Sequence, residues 1–405
     1  MNDKRNYKSN CRNRNENTDK YRYSSSGKER KKKIIQFDES VRSEDFFELL
    51  KDCDGHILKE LKLINGAVIL VDDEEYEKVR LTAKSRSGII ALEDDIVLKA
   101  KGENFFEIQT LDNETKLNCG MVPWNVIQIN AHNLKNCGTN VNVAVLDTGI
   151  DCRHPLLRGK IKGKYVIKQP AGNTADDNGH GTHVAGIIAA NRAKNAYGIS
   201  PDVNLYNVKI LDKNGEGNLS DMIDGIQWCL DNGIRLINLS LSTTEENNIF
   251  KCAMRNARRC GMIMVCATGN HGPDDDTIGY PAKFPETISV GATNKKCRVT
   301  EFSARGREID VCAPGANIAS TWPGSCCKTV SGTSMASPHV TAVIALMLEK
   351  DPLLSGSDVK AILKSTAHKI SNEPFNSQGS GIIDAKKAIE CVEKRVEINK
   401  SFGIV

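Results

Sequence analysis

The chain has 405 residues, 40% hydrophobic and 26% charged, which is about two to three domains' worth and too long for a disulfide-stapled miniprotein. Lys and Arg number 55 against 51 Asp and Glu; residues 1–33 hold 12 basic and 4 acidic side chains, which leaves the other 372 at −4. A body so close to neutral offers no nucleic-acid surface, and no apolar run approaches the length of a membrane span.

Residues 1–33 (MNDKRNYKSNCRNRNENTDKYRYSSSGKERKKK) contain almost nothing apolar and read as a disordered basic tail, a solvated arm rather than an anchor for anionic partners. Ile34–Phe37 is a short strand candidate. Ser43–Cys53 follows a helical period behind a Ser cap, with Phe46, Phe47, Leu49 and Leu50 as its apolar positions. His56–Asp72 reads as two strands with Asn65-Gly66 as the hairpin signal, Asp73–Ser85 as a helix, and Gly88–Lys99 as a last strand. That β-α-β-β-α-β order over 34–100 is a split βαβ unit, ferredoxin-like in class. Residues 101–120 read as a linker, 121–391 as one large domain and 392–405 as a C-terminal tail. In the large domain, strand-like runs (Val141–Leu146, Val203–Ile210, Leu236–Leu241, Met262–Ala267, Thr287–Val290) alternate with helix-like ones. The clearest helices are His183–Asn191, Ser220–Asn232, Asn247–Arg259 and Ser337–Lys350. Such alternation predicts a three-layer α/β domain with a mostly parallel sheet between helices.

Fourteen cysteines are many for such a chain, yet none falls in a CxxC pair and the one adjacent pair is Cys326-Cys327. Zinc sites need clustered ligands, so the thiols read as small apolar residues in a reducing compartment. The N-terminus also lacks the apolar stretch of a secretory signal, so the expected location is cytoplasmic, with unconventional export as the alternative.

Three segments at the ends of apolar runs carry the chemistry. They are Val143-Ala-Val-Leu-Asp147-Thr-Gly149, Asn178-Gly-His180-Gly-Thr-His183-Val-Ala-Gly186 and Ser331-Gly-Thr-Ser334-Met-Ala-Ser-Pro338-His339. A parallel sheet gathers such strand-to-helix ends on one rim. Singly, each has an ordinary reading: Asp147 as a turn cap, His180 and His183 as cap residues or metal ligands, Ser334 as an N-cap. Together they supply a hydroxyl, an imidazole to take its proton and a carboxylate to orient the imidazole.

On these motifs the sequence resembles the subtilase family of subtilisin-like serine peptidases. GTSMASPH and NGHGTHVAG are long and specific, DTGID followed by His154-Pro155 is similar to the family's Asp segment, and the match runs from about Val122 to Ile389. The resemblance implies a serine endopeptidase that hydrolyses peptide bonds through an acyl-enzyme. Asp147, His180 and Ser334 would be its triad, and His183 a structural histidine. In Val265-Cys-Ala-Thr-Gly269-Asn270, Gly-Asn alone is a turn signal; the resemblance makes Asn270 the oxyanion donor beside the Ser334 N–H.

The resemblance further implies that an extended peptide substrate lies between Gly215-Glu216-Gly217 and Ser240-Leu241-Ser242. Ala267, Thr268 and Gly269 would line the primary pocket, with Gly279-Tyr280-Pro281 near its floor. Small residues there suit a sizeable apolar side chain. Ser242, where the family commonly has Gly, together with His271 and Asp274–Asp276, leaves a basic preference open. The unit over 34–100 resembles the family's inhibitory propeptide, so the chain is expected to be a self-processing zymogen cut between about Ala100 and Gly120. Its partners would be protein or peptide substrates and its own propeptide, with neither nucleic acid nor a membrane span. No cofactor is certain. The family's tight calcium is not expected, because Leu156 follows His154-Pro155 and the loop Asn191–Tyr197 is short and basic, while a hard cation needs several oxygen ligands. Calcium elsewhere stays open.

Overall fold

The computed structural model describes residues 22–23, 27–46, 50, 56–85, 88–100, 109–110, 122–167, 174–191 and 197–401. Most of the expected tail, most of the 101–120 linker and residues 192–196 lie outside these. The chain forms two compact units, one from the N-terminus to Glu60 with Ala67–Asp94, the other from Leu61–Gly66 and Asp95 onward.

The first unit contains β1 (Lys31–Phe37), β2 (His56–Leu61), β3 (Gly66–Val71), α1 (Asp73–Ser85) and β4 (Ile89–Asp94), with sheet order β2-β3-β1-β4. Central β3, GAVILV, is buried along its whole length, as a continuous apolar run requires. Asp72 caps α1: its Oδ1 accepts from Glu74 N and Glu75 N, and Glu75 Oε2 accepts from Asp72 N, a reciprocal box. Ile35, Phe37, Phe46, Ile69, Val71 and Val79 fill the core. Of the expected helix Ser43–Cys53, Ser43–Asp45 is a 3-10 turn, and residues 47–49 and 51–53 lie outside the described set. The Asn65-Gly66 signal marks a longer connection than a two-residue hairpin, a 3-10 turn at Lys62–Ile64 closed by left-handed Asn65.

The single strand expected at Gly88–Lys99 is two strands, because the chain changes sheets at Asp95. β4 pairs antiparallel with β1, whereas β5 (Val97–Lys99) belongs to a separate ladder in the larger unit. Buried Asp95 fixes the break, accepting from Ser220 N and Oγ at 2.8 Å each and from Asn218 Nδ2 at 3.0 Å.

The larger unit continues with β6 (Gln109–Thr110), α2 (Trp124–Gln128), β7 (Asn142–Asp147), β8 (Ile161–Val166), α3 (His180–Ala189), β9 (Asn204–Lys209), β10 (Glu216–Asn218), α4 (Leu219–Asp231), β11 (Leu236–Leu239), α5 (Asn248–Arg259), β12 (Ile263–Ala267), β13 (Ile288–Thr293) and β14 (Val311–Pro314). It closes with β15 (Ile318–Trp322), β16 (Cys326–Val330), α6 (Thr333–Lys350), α7 (Gly356–Thr366), α8 (Phe375–Gln378) and α9 (Ala385–Ser401). Seven strands, ordered β14-β13-β12-β11-β7-β9-β8, form one sheet in which every pairing is parallel. Strands β11, β12 and β13 are buried throughout, as in a sheet covered on both faces. Strand order diverges at β7, with β9 and β8 on one side and β11 to β14 on the other. A crevice for ligands opens at the carboxyl ends of strands at such a point.

The expected boundary at 391 falls inside α9, where Val392 is fully buried; residues 392–401 are therefore helix rather than tail. Among the described residues, no helix is long and apolar enough to cross a membrane.

Candidate active site

Asp147 ends β7 at the point where the strand order diverges, and His180 opens α3 after Gly179, whose φ of +108° is a left-handed conformation that suits glycine. The two side chains meet: His180 Nδ1 lies 2.8 and 2.9 Å from the two carboxylate oxygens of Asp147. A carboxylate only accepts, so Nδ1 carries the proton and Nε2 is the basic nitrogen. Nε2 is buried without a hydrogen-bond partner. Burial disfavours the charged imidazole, but the Asp147 charge and hydrogen bond, aided by the Asp176 charge, outweigh it and raise the His180 pKa above its ordinary value. The turn-cap reading of Asp147 is also fulfilled, since Oδ1 accepts from Thr148 N at 2.7 Å.

Ser334 lies in the first turn of α6, which follows Gly332; it is therefore not the N-cap. Its Oγ donates to Ser240 O at 3.2 Å, just past the carboxyl end of β11. Helices α3 and α6 pack against one another. Asn270 follows β12, and its Oδ1 accepts from Thr333 N and Thr333 Oγ1 at 2.9 Å each. A backbone N–H can only donate, which settles which amide atom is oxygen and leaves Nδ2 as the outward donor. Thr333 Oγ1 also accepts from Gly269 N at 3.2 Å, so the α6 turn and the Gly269-Asn270 turn are clamped together.

The two edges read as substrate strands are brought together around β5 of the same chain. Glu216 pairs with Lys99 and Gly217 with Leu98, Gly215 O accepts from Ala100 N at 2.9 Å, and Lys99 exchanges both backbone bonds with Ser242. Leu241 is buried behind that edge. Beside it, Gly279 N donates to Thr268 O at 2.9 Å, which sets the Ala267-Thr268-Gly269 wall against Gly279. A Cβ added at Gly269 or at Gly279 would lie 3.5 Å from Ser242 Oγ, so Ser242 stands between the two walls. Thr268 Oγ1 and His271 Nδ1 are buried there and unpaired. Asp276 instead holds Lys283 at 2.7 Å on the surface, which keeps its carboxyl below the usual range.

Leu156 has an aliphatic side chain, and its carbonyl is taken by Asn191 N at 2.9 Å. Among the described residues, no cluster of three or more His, Cys, Asp or Glu side chains is arranged to hold a metal ion.

The family model described as "Subtilase family" matches residues 138–381, more than half of the chain. The chain is a subtilase. Subtilisin amylosacchariticus of Bacillus subtilis subsp. amylosacchariticus is 34% identical over 349 residues, covering 85% of each chain. M-protease of Shouchella clausii is 36% identical over 364 residues, 89% of this chain and 91% of the relative. Among solved structures, fervidolysin of Fervidobacterium pennivorans, a keratinolytic enzyme related to subtilisin, superposes with a TM-score of 0.76 at 26% identity. That match covers 89% of this chain, which spans 61% of fervidolysin. This subtilase is a serine endopeptidase, a hydrolase of peptide bonds.

Three further residues position the site of this subtilase without having been singled out from sequence. Buried Asp176 gathers the turn that presents His180: Oδ1 accepts from Thr148 Oγ1 (2.8 Å), Asn178 N (3.1 Å) and Gly179 N (2.7 Å), and Oδ2 from Thr182 N (2.9 Å) and Oγ1 (2.6 Å). Thr333 orients Asn270. Pro338 has no N–H for the Ser334 carbonyl one turn back, and Ser240 Oγ takes that carbonyl instead at 2.9 Å. His183 Nε2 lies 3.0 Å from both Ile318 O and Lys328 O, tying α3 to β15 and β16; burial lowers its pKa to about 3 and keeps it neutral.

Proposed function

We propose that this subtilase cleaves peptide bonds with Asp147, His180 and Ser334 as its triad and Asn270 as its oxyanion donor. The observation that carries the reading is the buried Asp147–His180 pair, which fixes the tautomer and leaves Nε2 unpaired. Ser334 Oγ exchanges Ser240 O for His180 Nε2 and attacks the substrate carbonyl as its proton passes to the imidazole. Asp147 stabilises the imidazolium, and Asn270 Nδ2 with the Ser334 N–H meets the negative oxygen. His180 then protonates the leaving amine, and water releases the acyl group. Substrate takes the extended position that β5 holds, hydrogen-bonded to Gly215–Gly217 on one side and Ser242 on the other.

The same occupancy supports a zymogen: the chain's own segment fills the cleft, and the unit before it is the propeptide. A reducing, cytoplasmic setting is supported by Cys229, Cys266 and Cys312, which are buried as small apolar groups with their thiol pKa values pushed up by burial. The test is hydrolysis of a casein-derived peptide. Ser334→Ala should abolish turnover and His180→Ala should lower kcat by about 10⁴-fold; undiminished turnover in either variant refutes the assignment.

A further inference from the structure

Resting on that peptidase reading, strand β9 bears on how Asp147 and His180 are brought into line. Asp147 leads the turn 147–150 that ends β7, and His180 follows the turn 174–179 that precedes α3. The two turns touch at Gly149, where a Cβ would fall 2.8 Å from Thr174 O and 2.9 Å from Ala175 O. β9 runs parallel beside β7, with Asn207 opposite Val145 and Lys209 opposite Asp147. Residues two apart on a strand share a face, and each of these bonds to both turns. Asn207 Nδ2 donates to Thr174 O at 2.9 Å and to Ile150 O at 3.5 Å. Lys209 Nζ donates to Thr148 O and, at 2.7 Å, to Asp177 Oδ1.

We propose that Lys209 is a positioning residue: its ammonium fastens the turn that carries Asp147 to the turn that presents His180. Its side chain is 1% exposed. A charge so far from water is costly even when paired, and an apolar side chain could fill the same volume without that cost. Packing therefore does not explain the lysine, whereas its two acceptors do. Thr148 is next to Asp147 in the chain, and Asp177 precedes His180 by one turn's length. Thr148 is held at its carbonyl by Lys209 and at its hydroxyl by Asp176, so both grips lead to the 174–179 turn or its partner strand.

Without the Lys209 bonds the turns are free to separate, and the carboxylate–imidazole bond lengthens. A weaker bond makes the imidazolium less favourable. Loss of a positive charge with the geometry intact would make it more favourable, so the two effects differ in sign. The titratable groups set against His180 are Asp147, Asp176 and His183, and His183 stays neutral because burial lowers its pKa to about 3.

The experiment compares the wild type with Lys209→Met, Asp177→Asn and the double variant. Peptide hydrolysis is followed against pH, and fluorophosphonate labelling of Ser334, carried to completion, counts the folded sites. Lys209→Met keeps the aliphatic bulk and should lower kcat per site by roughly ten- to a hundredfold, with KM little changed. Its acid limb should move to lower pH. Asp177→Asn weakens one of the two anchors and should move both readouts the same way by less. The double variant should be no worse than Lys209→Met, because the two side chains share one bond. An unchanged kcat in Lys209→Met overturns the proposal, as does an acid limb that stays in place or moves up. If Lys209→Met gives no folded protein, Asp177→Asn decides, and an unaltered rate and limb there overturn the role. A wild type that neither hydrolyses the peptide nor labels at Ser334 refutes the peptidase reading itself, and the role of Lys209 falls with it.

Discussion

Ser240 and Ser334 are bonded to each other twice: Ser240 Oγ donates to Ser334 O at 2.9 Å, and Ser334 Oγ donates to Ser240 O at 3.2 Å. The first bond exists because Pro338 leaves the Ser334 carbonyl without its helical donor. The second keeps the hydroxyl at the edge that follows β11. Ser334 and the edge at Ser240 are thus one hydrogen-bonded unit, supported by Asn238, whose Nδ2 donates to Ser240 Oγ at 2.8 Å.

Ser240→Ala should leave a buried carbonyl unpaired and lower stability by about 1–3 kcal/mol, measured by urea unfolding. Adding Pro338→Ala restores an N–H one turn away and should recover part of that loss. If the single variant is as stable as wild type, the reciprocal bond has no structural weight.

The pH profile follows from the raised pKa of His180. As the proposed general base His180 would work neutral, so kcat/KM should climb as pH rises through that pKa, with its acid limb above the ordinary 6.5. Linkage has the opposite sense: protonated His180 paired with Asp147 stabilises the fold below 6.5, and this contribution is lost as pH rises through the folded pKa. Asp147→Asn removes the raising charge and should move the limb to lower pH. A limb at or below 6.5 in the wild type would contradict the pairing.

Asn270→Ala should lower kcat by about 10²–10³-fold with little change in KM, the range already established for the equivalent donor of subtilisin. Thr333→Val frees Oδ1 from one of its two donors and should cost less, with Thr333→Ser restoring the rate. A KM effect of equal size would mean that Asn270 binds ground state and transition state alike.

Chelation should change little. Leu156 offers no side-chain oxygen after His154-Pro155, so EDTA should leave activity and Tm unaltered. A fall in Tm of more than about 5 °C would show that a bound ion contributes on the order of 1 kcal/mol or more.

The segments that meet at the proposed site were visible in sequence because each is local: an apolar strand, a glycine turn and a polar side chain within a few positions. The parallel sheet was legible for the same reason. Asp176, Thr333 and Pro338 were not, because what they do depends on partners far along the chain. Thr333 meets Asn270, 63 positions away, and the carbonyl left by Pro338 meets Ser240, 94 positions from Ser334. The strand break at Asp95 was hidden likewise: its apolar run continues, and the groups that end it, led by Ser220, lie 125 positions on.

The most direct test of the central claim is adduct mapping with a labelled fluorophosphonate on the native protein, which reports whether Ser334 is an activated nucleophile. One adduct is expected, on Ser334, absent from Ser334→Ala and strongly slowed in His180→Ala. No adduct in the native wild type, or one that persists in Ser334→Ala, would contradict it.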